Sequence, residues 1–135
     1  MVKFKKKQSV IVNPEPNKSI AVLPFLNLSS KADLEYFSDG ITEEIINALS
    51  TIRELKVTSR TSSFSFKGTD KTIPDIGRQL GVSIILEGSV RLSGTSARIS
   101  AKLIEVENDY HFWSESFDRD LNNVFAVQDE ISLII

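Results

Sequence analysis

Hydrophobic and polar positions change period several times along the chain, and each change marks an element. Ser19-Ile20-Ala21-Val22-Leu23-Pro24 is an apolar run ended by proline, the pattern of a strand buried on both faces. Residues 25–33 carry Asn, Ser and Asp without a period and read as a loop. Ile41, Ile45, Leu49 and Ile52 then form a single helical stripe. The stretch Tyr36-Phe37-Ser38-Asp39-Gly40-Ile41 opens that helix, with Ser38 or Asp39 as its cap and Glu43 and Glu44 at its positive end. It should stop near Arg53. Residues 56–59 form a second strand, and 60–71, rich in Ser and Thr, a second loop. A second helix is bounded by Thr72 as cap, Pro74 in its first turn and Gly81 at its end, with Ile73, Ile76 and Leu80 inward.

From Val82 the period is two. Ile84, Leu86, Val90 and Leu92 alternate with Ile85, Glu87, Ser89 and Arg91, and Ser93-Gly94-Thr95-Ser96 supplies a turn. The return strand places Ala97, Ile99, Ala101 and Leu103 on one face. A third strand over 111–118 places His111, Trp113, Glu115 and Phe117 together. Val124, Val127, Ile131 and Ile134 mark a last helix from about Asn122, inside which the chain stops. The expectation is one domain over 19–135, truncated within that helix, after a basic, proline-containing linker over 1–18. The fold class is α/β (α+β mixed), β-α-β-α-β-β-β-α. Its five-stranded mixed sheet should have the order 2-1-3-4-5, with parallel first strands and an antiparallel meander at one edge.

Composition narrows the chemistry. The 135 residues suffice for one core. There is no cysteine, so disulfides, thiolate metal sites and a cysteine nucleophile are excluded. The net charge of −2 hides an asymmetry: without Lys3, Lys5, Lys6 and Lys7, 12 basic residues face 18 acidic ones, a balance of −6. Such a body is a poor binder of nucleic acid. No apolar window is long enough to span a bilayer, and Val10 to Val12 is too short for a signal-peptide core. The lysines suit either a solvated start or a segment flanking a membrane helix.

Catalytic constellations are sparse. His111 is the single histidine, and alternation sends Ser114 to the opposite face, which leaves no triad. Asp118 and Asp120 sit at a strand-to-helix junction that needs capping. Glu43, Glu44 and Glu87 have no spacing that brings them together. Gly68-Thr69-Asp70-Lys71-Thr72 lacks the spacing of a phosphate loop, and Gly88 suits a close approach in a strand. Trp113 and Phe117 suit the core. No cofactor and no metal site is expected.

The segments SIAVLPFLNLSSKADLEYFSDGITEEIINALS, LKVTSRTSSFSFKG, IGRQLGVSIILEGSVRLSG and HFWSESFDRDLNNVFAVQDEI resemble, in that order, the TolB amino-terminal-like (FlgO-like) domain of bacterial signalling proteins. The resemblance covers about residues 19–131. It implies an alternating α/β domain without established catalytic residues. Such domains commonly precede tetratricopeptide repeats and are often joined to an adenylate or guanylate cyclase, winged-helix or kinase domain. It also implies that this segment is not an enzyme, and that any cyclase activity belongs to an upstream domain. The preferred reading is a non-enzymatic protein-interaction or sensory module of a larger bacterial signalling protein. Its partner would be a protein, such as adjacent helical repeats, with no nucleic acid and no membrane insertion by this segment. The alternative is a small-ligand or nucleotide-binding regulatory domain. Both use the loops after the first two strands, where ligands of open α/β sheets gather. The candidate residues are Phe25, Asn27, Tyr36 and Asp39 from the first loop, with Ser59, Arg60, Thr61, Ser62 and Phe64 from the second. A periplasmic placement is favoured over a cytoplasmic one.

Overall fold

The computed structural model describes residues 18–29 and 33–120. Their elements are β1 (Lys18–Val22), β2 (Leu26–Asn27), α1 (Asp33–Leu49), β3 (Leu55–Val57), α2 (Arg60–Phe64), α3 (Ile73–Leu80), β4 (Ile84–Ser93), β5 (Ser96–Glu105) and β6 (Tyr110–Asp120). The basic segment 1–17 and the last helix expected from Asn122 lie outside the described residues. The strands form a single mixed sheet in the order β3-β1-β4-β5-β6, with β2 also paired to β4. β1 runs parallel to both β3 and β4, and β4, β5 and β6 form an antiparallel meander. The order expected from the sequence is therefore present.

The uninterrupted apolar run of β1 has a direct cause. Ile20 and Val22 pack under Ile41, Ile45 and Leu49 of α1 on one face. Ala21 and Leu23 pack with Ile76 of α3, Val82 and Val106 on the other. Both faces of this central strand are covered, so no position in its buried part can be polar.

Three local differences have physical reasons. First, α1 begins at Asp33 rather than beside Ser38. Ser38 lies inside the helix, fully buried, and its hydroxyl has no hydrogen-bond partner among the described residues. Second, both expected loops contain short regular elements. Beyond Pro24 the chain rejoins the sheet as β2, where Leu26 and Asn27 pair with Ser89 and Val90. Ser59 caps α2, its Oγ accepting from the Ser62 N–H at 3.3 Å. Third, a register shift breaks the alternation of β6. Leu103 pairs with Trp113, but Ile104 pairs with His111. His111 therefore leaves the face of Trp113 and Phe117 and is exposed; the shift places it on the face of Ser114, which pairs with Lys102. Neither His111 nor Ser114 has a side-chain hydrogen bond among the described residues. The second long helix matches expectation, with Thr72 accepting from the Asp75 N–H and Gly81 at φ 69°.

One buried hydroxyl ties the sheet to α1. Thr42 Oγ1 accepts from the Phe25 N–H at 2.9 Å and donates to the Ser38 carbonyl at 2.9 Å. Thr42→Val keeps the shape but strands the Phe25 N–H, which should cost about 1–3 kcal/mol. Urea unfolding should show a lower midpoint at unchanged slope; an unchanged midpoint would mean the N–H finds another acceptor.

A groove at the carboxyl ends of the parallel strands

β1 hands the chain to α1 on one face of the sheet, while β3 leads through α2 to α3 on the other. Neighbouring strands whose connections leave on opposite sides open a crevice at their carboxyl ends. Here a cleft of about 400 Å³ lies between residues 23–27 and the segment that carries Phe66, Lys67 and Lys71, with Glu87 and Gly88 of β4 in its wall. A second hollow of about 260 Å³ shares Leu26, Glu87 and Gly88 with it and extends to Leu28, Ser100 and Lys102. The two make one groove across β2, β4 and β5. Its rim is apolar: Leu26 is 61% exposed and Leu28 49%.

The edge of the groove is held by an ionic stripe. Glu35, Asp39 and Glu43 recur every four residues along α1 and so share one face. Lys67 Nζ lies 2.7 Å from Glu35 Oε2 and 2.9 Å from Asp39 Oδ2. Arg60 Nε donates to Glu43 Oε2, and its guanidinium lies 4.1 Å over the Phe64 ring. The stripe fixes the α2–α3 segment against α1. The hydrogen bond from Lys67 holds the Glu35 carboxyl below its ordinary value. The hydrogen bond to Glu35, and then that to Asp39, raise Lys67.

These shifts set the sign of a pH effect. A depressed carboxylate stabilises the fold above its unfolded pKa, and that contribution fades as pH falls through the folded one. A raised lysine stabilises below its ordinary value of 10.5 and fades above it. Lys67→Met should therefore lower the melting temperature most between those limits. The loss should be about 1 kcal/mol or less, since the groups are part exposed and screened. As pH falls below the ordinary carboxylate value, the difference from the parent chain should shrink. A difference that grows on acidification would contradict the assignment.

The candidate residues named above separate into four groups. Asn27 and Asp39 lie with the ionic stripe; Asn27 Nδ2 donates to Glu35 Oε1 at 3.4 Å. Ser59, Arg60, Thr61, Ser62 and Phe64 build α2, where Ser59 is spent on the cap and Arg60 on Glu43 and Phe64. Phe25 is 1% exposed and belongs to the core, where it also lines the cleft. Tyr36, at 85% exposure, is an open aromatic on α1. Sequence reasoning passed over Glu35 and Lys67, although the four-residue spacing of Glu35, Asp39 and Glu43 was visible. It weighed Glu87 as a catalytic carboxylate and not as part of a groove. Among the described residues there is no group of three His, Asp or Glu that could hold a metal, and no helix long and apolar enough to cross a membrane.

Residues 16–134 match the family model described as HilA/YgeH-like transcriptional regulator, second domain. A Rhizobium meliloti (strain 1021) protein named "Putative adenylate cyclase 3" is 48% identical over 117 residues, which cover 87% of this chain and 20% of the relative. The chain thus spans about a fifth of that protein's length. In three dimensions it is similar to lipoprotein GNA1162 from Neisseria meningitidis, with TM-score 0.61, 23% identity, and 84% of this chain matched to 96% of that one. It is similar also to TolB from Acinetobacter baumannii, with TM-score 0.62, 12% identity, and 85% of this chain matched to 26% of that one. At those identities the structures share the fold, which is TolB-like. With nearly its whole length matched, the chain belongs to the family of HilA/YgeH-like transcriptional regulator second domains.

Proposed function

We propose that this domain is a non-enzymatic protein-interaction module of a larger bacterial signalling protein. In that reading it transmits between an effector, such as a cyclase or a DNA-binding domain, and neighbouring helical repeats. The observation that carries the reading is the groove itself. Its rim exposes Leu26 and Leu28 beside charged groups already bound to one another. A surface of exposed apolar residues bordered by polar ones is the anatomy of a docking site. The second-domain family match and the cyclase-named relative support a role beside other domains. A ligand site built on Ser59, Arg60, Thr61 and Ser62 has less support, because the cap and the ion pair already occupy Ser59 and Arg60.

The test is amide hydrogen exchange on this chain alone and within a longer parent protein. Residues 25–29 and 60–71 should gain protection in the longer chain. Identical exchange in both would refute docking at this groove.

A further inference from the structure

β6 forms an edge of the sheet: among the described residues no strand pairs with its outer side. It has 11 residues, of which Phe117 alone is buried. The opposite edge, β3, has three. A long open edge presents a row of unpaired N–H and C=O groups and accepts a further strand unless its side chains forbid one. Glu115 and Arg119 lie on the same face of β6 as Phe117, opposite Ala101 and Ala97 of β5. Four residues apart on a strand, they stand about 13 Å from each other, out of reach within one chain. Glu115 is exposed and has no ion pair among the described residues. Arg119 lies 5.6 Å over the Phe117 ring, and its Nη1 donates to the Asp118 carbonyl. Those contacts hold the guanidinium along the strand, and its fork of donors can serve a further acceptor.

This edge is complementary to itself. In an antiparallel ladder, residues directly opposite each other point to the same face. Two copies of β6 related by a two-fold axis at Phe117 set Glu115 opposite the second copy's Arg119, and Arg119 opposite its Glu115. On the other face the same register sets Ser116 opposite an Asp118 and Ser114 opposite an Asp120, each a hydroxyl donor against a carboxylate. Asp118 already accepts from Arg98 at 2.8 and 3.0 Å, so its charge is offset within its own sheet. Registers centred on Glu115, Asp118 or Arg119 would instead oppose like charges at the axis, which destabilises a ladder. We propose that β6 is a self-association edge: a second copy of this chain adds to it as an antiparallel strand in the register centred on Phe117, joining two sheets into one. The register shift that leaves Phe112 unpaired interrupts the alternation, so the ladder runs over residues 114–120. So short a ladder makes a weak dimer, formed where copies are concentrated. The edge is separate from the groove across β2, β4 and β5, and the proposal does not depend on docking there.

The experiment is sedimentation equilibrium of the 135-residue chain from about 10 μM to about 1 mM, the range of weak interfaces. A monomer–dimer equilibrium is expected. Glu115→Arg and Arg119→Glu each set like charges opposite one another twice, and each should weaken dimerisation about tenfold or more. The double variant Glu115→Arg/Arg119→Glu reverses both signs and should return to within about threefold of the parent chain. Far-UV spectra check that each variant is folded, and should one single variant fail to fold, the other and the double variant decide. In amide NMR of the parent chain, resonances of residues 114–120 should move with concentration while those of Leu26 and Glu87 stay fixed. A chain that remains monomeric throughout overturns the proposal. So does a dimer that neither single variant weakens, one that the double variant fails to restore, or one whose concentration-dependent shifts fall outside residues 114–120.

Discussion

Gly88→Ala is expected to destabilise the domain by about 3 kcal/mol or more, beyond the usual cost of one extra core methyl. A Cβ at this position would sit 2.3 Å from the Ser100 carbonyl oxygen and 2.5 and 2.7 Å from two carbons of the Phe25 ring. The backbone oxygen belongs to β5, which pairs with β4 along ten residues, so it cannot retreat without opening the ladder. Phe25 is fully enclosed by the main core, so its ring cannot swing away either. Equilibrium urea unfolding of the variant and parent chains measures the loss. A change below 1 kcal/mol would mean that β4 and β5 separate more easily than their pairing implies. The glycine in the SIILEGSV segment is thus an architectural requirement, and the close approach expected of a strand glycine has its two causes in Phe25 and Ser100.

This case shows which features the sequence carries openly. Gly88 was legible because a glycine in a period-two strand has few explanations. β1 was legible because burial on both faces forbids polar residues in its enclosed part. Thr72, Pro74 and Gly81 marked α3 because each residue type meets a backbone demand at one end of a helix. Features that depend on contacts between distant segments were not legible in the same way. Nothing local in Ser59 to Phe64 announces a five-residue helix, which is held by Arg60 reaching back to Glu43 on α1. The bulge in β6 comes from how β5 and β6 pair, and neither strand's own alternation predicts it. The start of α1 was misplaced because Ser38 has the chemistry of a cap but lies buried against the sheet. The groove was located from topology alone, yet its residues were not. Strand order fixes where a crevice opens, while Glu87, Leu26 and Lys71 meet there only through the packing of β2 and the α2–α3 segment.

Phe25→Ala should be the other large effect, at about 3–5 kcal/mol for a fully enclosed aromatic side chain. The ring is among the largest fully buried groups of the domain, and its own N–H is held by Thr42. The loss should appear as lowered stability with an unaltered fold, visible as a lower urea midpoint and a native far-UV spectrum. The pair with Gly88 gives a sharper test. Were the ring the only obstacle at Gly88, the double variant Phe25→Ala/Gly88→Ala would be as stable as Phe25→Ala, since the new methyl would fill part of the vacated space. The Ser100 carbonyl, at 2.3 Å, remains in place whatever stands at position 25. The double variant should therefore stay less stable than Phe25→Ala, but by less than Gly88→Ala costs alone. The difference between the two penalties is the share owed to the ring. Equal stability of Phe25→Ala and the double variant would assign the whole constraint to Phe25 and remove the backbone of β5 from the explanation.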